Sequence, residues 1–139
     1  MKRVVQVLIF LLLGMMLAGC GKYEYKQGLK KLEEGEYEEA VLRFEKAVEK
    51  EANVGDAWRG IGIARWELED YEGAGDAFLK ALENGSDETG TLYNFLGACM
   101  MKQDRPAEAV SYYEQGVLME DCTEEMLREC VTRLITTRM

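Results

Sequence analysis

At 139 residues, 47 % apolar and 31 % charged, the chain has room for one domain with a core and a solvated surface. One proline and no histidine suit a nearly all-helical build and remove the usual general base and the commonest metal ligand, so no enzyme activity, metal or cofactor is expected. The net charge of −9 repels phosphate, whose neutralisation drives nucleic-acid binding, so a nucleic-acid partner is not expected either.

In chain order, Lys2 and Arg3 give a short positive start, and Val4 to Leu17 is apolar but for Gln6 and Gly14. Such a run makes about 21 Å of helix, short for a hydrocarbon core of roughly 30 Å. Charge, a short apolar run and small residues together read as a secretory signal. The stretch Leu17-Ala18-Gly19-Cys20 resembles the lipobox of bacterial lipoproteins. That resemblance implies diacylglycerol on the Cys20 sulfur, cleavage of residues 1–19, and an acylated (palmitate-type) N-terminus at Cys20. The alternative is an uncleaved anchor helix with a buried cysteine. Two or three acyl chains make a stable anchor, each buried CH₂ contributing about 0.8 kcal/mol. The expected place is the cell membrane or the outer membrane, lipid-anchored, on the extracytoplasmic side. Loss of Lys2 and Arg3 leaves 15 basic against 26 acidic residues, a net charge of −11. Gly21 and Lys22 are the only linker residues before Tyr23.

Apolar period and punctuation then predict seven helices, near 23–34, 37–50, 54–68, 71–84, 89–103, 106–119 and 123–137. The breaks are Gly35, the Ala52–Gly55 step, Glu69-Asp70, Gly85-Ser86, Asp104-Arg105 and Asp121–Thr123. One set of residues recurs at a step of 34 and then 35 positions. It reads Gly28, Tyr37, Ala40, Phe44, Ala47, then Trp58, Gly62, Tyr71, Ala74, Phe78, Ala81, then Tyr93, Gly97, Pro106, Ala109, Tyr113, Gly116. A fixed period of this size marks stacked units that cannot bury their apolar faces singly. Glycine in the first helix and alanine in the second allow close approach, and Phe44, Phe78 and Tyr113 fill the space between units. The extra residue of the third step falls in the loop around Asn84–Gly90, where an insertion costs little.

These residues and spacings resemble the tetratricopeptide repeat (TPR) family over about residues 22–121. The resemblance implies an all-α fold, a right-handed superhelix of three TPR helix pairs with repeats at about 21–54, 55–88 and 90–123. Leu127, Cys130, Val131 and Leu134 form one stripe that resembles the cap helix closing such arrays, with Thr123 or Asp121 as its cap and Arg133 and Arg138 suited to its far end. The alternative is a cut-off repeat meant to continue on another chain.

In the family, the first helix of each unit lines a concave groove. Carried over by register, the peptide-binding positions are Tyr25 and Leu29, then Arg59, Ile63 and Trp66, then Asn94, Met101 and Lys102. Aromatic and aliphatic anchors beside one or two cations suit an extended or helical peptide. Trp66 is either a binding anchor or a packing residue on the neighbouring unit, since Trp58 already supplies the family's aromatic in that helix. Arg59, Asn94 and Lys102 do not reproduce a carboxylate clamp, and the overall charge opposes an acidic ligand. The acidic run around Glu33–Glu39 reads as a solvated helix face. Outside Cys20, three cysteines remain. A Cys99–Cys130 bridge leaves Cys122 free; three unpaired thiols are the other reading. The resulting expectation is a membrane-anchored scaffold or adaptor in the bacterial cell envelope, whose partner is an envelope protein or peptide. A self-associating structural lipoprotein, a homo-oligomer with no separate ligand, is the alternative.

Overall fold

The computed structural model describes residues 1–119 and 123–138, apart from the side chains of 15–18, 126, 130, 134, 137 and 138. Seven helices follow one another: α1 (Lys2–Glu33), α2 (Tyr37–Glu49), α3 (Val54–Glu67), α4 (Tyr71–Glu83), α5 (Gly90–Lys102), α6 (Pro106–Val117) and α7 (Glu124–Arg138). The described residues contain no strand. Six of the seven helices lie where the apolar period puts them, to within two residues at each end.

α1 is the exception, because it starts at Lys2 rather than near Tyr23. Nothing between Leu17 and Tyr23 stops a helix. Gly19 and Gly21 each cost about 1 kcal/mol relative to alanine, too little to break one that runs on both sides. Among the described side chains, packing begins at Gly21, and Val4 to Leu13 are all exposed.

Helices pair as α1 with α2, α3 with α4, and α5 with α6, and α2 and α4 then pack on the following pair. The glycines explain how closely they pack. A Cβ on Gly28 would stand 2.6 Å from the Phe44 ring, and one on Gly60 would stand 2.5 Å from it. Phe44 therefore fills the gap between its own unit and the next. The Phe78 ring lies against Gly62, and the Tyr113 ring against Gly97, in the same way. Phe44, Phe78 and Tyr113 are each fully buried.

Each unit closes its first helix with one left-handed residue, at Gly35, Glu69 and Asp104 in turn. The following N–H reaches back five residues, from Glu36 to the Lys31 carbonyl, Asp70 to Arg65 and Arg105 to Met100, each at 2.9 Å. That pattern pairs the orphan carbonyls of a helix end. Pro106 sits in the first turn of α6, where its missing N–H costs nothing.

α7 packs mainly on α6 and touches α5. Leu127 is half-buried, but Val131 points to solvent, so the apolar stripe expected to include it is narrower than its spacing suggests. Thr123 accepts the first helical bond through its carbonyl. Asp121, the other expected cap, and the side chains of Cys130 and Leu134 lie outside the described residues.

Candidate groove on the first helices of the units

α1, α3 and α5 lie side by side as the first helices of their units. Their common face carries two adjoining cavities. The first, about 400 Å³, is walled by Ile63, Phe78, Leu92 and Phe95, with Arg59, Thr89 and Thr91 at its polar side. The second, about 430 Å³, is walled by Trp66, Ala98, Met101 and Tyr113, with Lys102 and Arg133 beside them. Apolar walls with a few placed polar groups are the usual make-up of a binding pocket.

The register residues thus divide. Arg59 and Ile63 meet in the first cavity, and Trp66, Met101 and Lys102 in the second. Tyr25, Leu29 and Asn94 line neither. Tyr25 is partly buried against the first core, its ring 5.8 Å from that of Phe44, with Asp56 and Arg59 nearby. Burial, reinforced by the nearby Asp56 carboxylate, pushes its phenol above the ordinary range. Leu29 is exposed and Asn94 half-buried.

Trp66 has a packing role. Its ring meets Tyr71 edge-on at 4.9 Å and Phe95 of the next unit at 5.7 Å. It stays partly exposed and lines the second cavity. Phe95 in turn stacks on Phe78 at 5.3 Å, so one aromatic run links both cavities. Register reasoning passes over Phe95, because the family pattern does not assign its position to the groove. The available signal was a second aromatic two residues after Tyr93.

Arg133 is the other unexpected member. Its charge suits the end of α7, yet its guanidinium turns toward α6. It donates to the Tyr113 hydroxyl at 3.2 Å, lies 5.7 Å from that ring's centre and pairs with Glu129. Arg59 pairs with Asp56 at 3.0 Å, and the Lys102 ammonium sits 5.1 Å over the Tyr71 ring. The groove therefore carries cations on an acidic chain. Trp58, by contrast, packs against the first core under the Lys80 ammonium.

Cys99 carries a free thiol in the third unit's core, where burial pushes its pKa up to about 12. Its suggested partner, the Cys130 side chain, lies outside the described residues, as does Cys122. Among the described residues no group of three His, Cys, Asp or Glu is placed to hold a metal ion.

Comparison with known proteins gives the same architecture. The first TPR of Spaghetti (RPAP3), solved bound to an HSP90 peptide, superposes with a TM-score of 0.77 at 17 % identity, over 88 % of this chain and 96 % of that one. YrrB, a TPR protein with an unusual peptide-binding site, gives 0.68 at 24 % identity, over 82 % of this chain and 65 % of that one. The Yersinia enterocolitica type III secretion chaperone SycD, in complex with a peptide of the translocator YopD, gives 0.74 at 16 % identity, over 84 % and 91 %. No curated protein matches the sequence. Residues 25–89 match the tetratricopeptide repeat family model, and the chain as described has the all-α fold of TPR proteins.

Proposed function

We propose that the chain is a membrane-anchored TPR adaptor of the bacterial cell envelope that holds a peptide or helix of a partner protein in its groove. A role in protein–protein interaction is what the TPR fold supports. The observation that carries the finer reading is the pair of adjoining cavities on α3 and α5. The Trp66–Phe95 contact joins their walls, so one segment would place an apolar side chain in each, with Arg59 and Lys102 offering polar contacts at either end. Such anchors set the register of a bound segment, while the rest of the interface excludes water.

The anchor is proposed at Cys20. The Leu17-Ala18-Gly19-Cys20 stretch supports it. So does the helix before it, whose most apolar window has a mean hydropathy of 2.3 and is 7 % buried. Length and composition alone let that helix cross a membrane. Cleavage after Gly19 and acylation place the array on the extracytoplasmic side. Mass spectrometry of the mature N-terminus checks this: a diacylglyceryl cysteine is expected, and an unmodified chain starting at Met1 contradicts it.

The groove is tested by photo-crosslinking in cells from position 63, beside Trp66. One discrete envelope protein is the expected adduct. A self-adduct, or no adduct from any groove position, contradicts the adaptor and favours a homo-oligomer.

A further inference from the structure

α1 runs without interruption from the anchor position into the first unit, and this carries a consequence for how the array stands on a membrane. Gly21, the residue after Cys20, is wedged against the end of α2. A Cβ there would lie 2.6 Å from that of Ala52 and 3.0 Å from that of Lys50. One turn on, the buried Glu24 carboxylate receives Arg43 at 3.2 Å and Lys50 at 3.4 Å, both from the α2 side. Cys20 is therefore tied to the array by close packing and two charged hydrogen bonds, with no flexible residue between.

The edge it leaves from is defined by contacts. α2 ends beside Gly21. A Cβ on Gly55, at the start of α3, would stand 2.5 Å from the Ser86 nitrogen just past α4. One on Gly116, at the end of α6, would stand 3.3 Å from the Gly90 carbonyl at the start of α5. All the connections between units thus share the Cys20 edge, and the turns at Gly35, Glu69 and Asp104 share the opposite one.

We infer that the first unit rests on the lipid head groups through its Cys20 edge, in one fixed orientation, with the turns inside the units facing outward. This rests on the proposed anchor at Cys20. Lys22 and Lys50 are the cations nearest the head groups, with Glu51 beside them. The Arg59 cavity then lies on the bilayer side of the groove and the Trp66–Lys102 cavity on the outer side, because α3 and α5 both start at the bilayer edge. A segment filling both cavities runs along the bilayer normal.

The test uses the full chain, processed in cells, purified from membranes and reconstituted in vesicles whose head groups carry a nitroxide quencher. A genetically encoded fluorescent residue is placed at Glu49 or at Glu38. Both are exposed on α2, about 16 Å apart along the helix. Strong quenching is expected at position 49 and little at position 38. A flexible Gly-Ser insertion between Cys20 and Gly21 is expected to make the two alike. Equal quenching without the insertion, in protein that still floats with the vesicles, overturns the fixed orientation alone. Protein that does not float overturns the anchor, and the orientation with it.

Discussion

Glu24 is the one charged side chain buried among the described residues, and Arg43 and Lys50 both pair with it. Burial alone would raise its pKa, but the hydrogen bonds from Arg43 and Lys50 outweigh that and hold it below the ordinary glutamate range. A carboxyl depressed on folding stabilises the fold above its unfolded pKa, and that stability is lost as pH falls through the lower, folded value. Thermal unfolding of Glu24→Gln against the native chain checks this. The gap in melting temperature is expected to be full near neutrality and to close as pH drops below about 4.5. A gap that does not depend on pH contradicts it. Gly62 makes a second case. A Cβ there would lie 2.6 Å from the fully buried Phe78 ring. Alanine gains about 1 kcal/mol of helix preference over glycine. Overpacking a tight site costs about 1–3 kcal/mol, so Gly62→Ala is expected to be net destabilising. Urea unfolding should show a lower midpoint at an unchanged slope. The partner of Gly62 was legible from the recurrence of small and aromatic residues. Glu24 was not, because a buried carboxylate in a run of charged residues has no spacing signature; only the fold brings Arg43 and Lys50 to it.

At the scale of elements, the turns explain why the repeat survives changes in its own residues. Gly35, Glu69 and Asp104 stand at one repeat position and share one left-handed conformation. Only glycine takes it at no steric cost, and aspartate tolerates it better than glutamate. Glu69→Gly is therefore expected to stabilise the chain by about 0.5–1 kcal/mol, and Asp104→Gly by less. Denaturant midpoints read both, and a loss of stability in Glu69→Gly contradicts the account. The helices themselves were legible because apolar period and these breaks agree. The start of α1 was not, since the change from an unpacked apolar helix to a packed amphipathic one happens without any breaking residue. The groove was legible in part for a similar reason. Register finds positions on α3 and α5, which repeat. It does not find Arg133, which lies on α7 outside the repeat.

The whole molecule is a line of units, each packed on its neighbours, and in such arrays local opening competes with global unfolding. Cys99 reports on this for the third unit. It is fully buried among Phe78, Leu96 and Tyr113, and burial pushes its thiol up to about 12. While the fold is closed almost none of the thiol is ionised at pH 8, and the thiolate is the species that reacts. Labelling by a disulfide reagent therefore requires an opening. In a chain whose Cys20, Cys122 and Cys130 are serine, labelling of Cys99 is expected to be orders of magnitude slower than that of an unfolded control. Its dependence on urea then separates two cases. A slope equal to that of equilibrium unfolding means that all three units open together. A smaller slope means that α5 and α6 come away from the first two units as a pair. The second outcome is expected, because α4 meets α5 across the loop that carries the extra residue. A segment bound across α3 and α5 bridges that same boundary, so it is expected to slow labelling in proportion to its occupancy, whereas a ligand on the convex side is not.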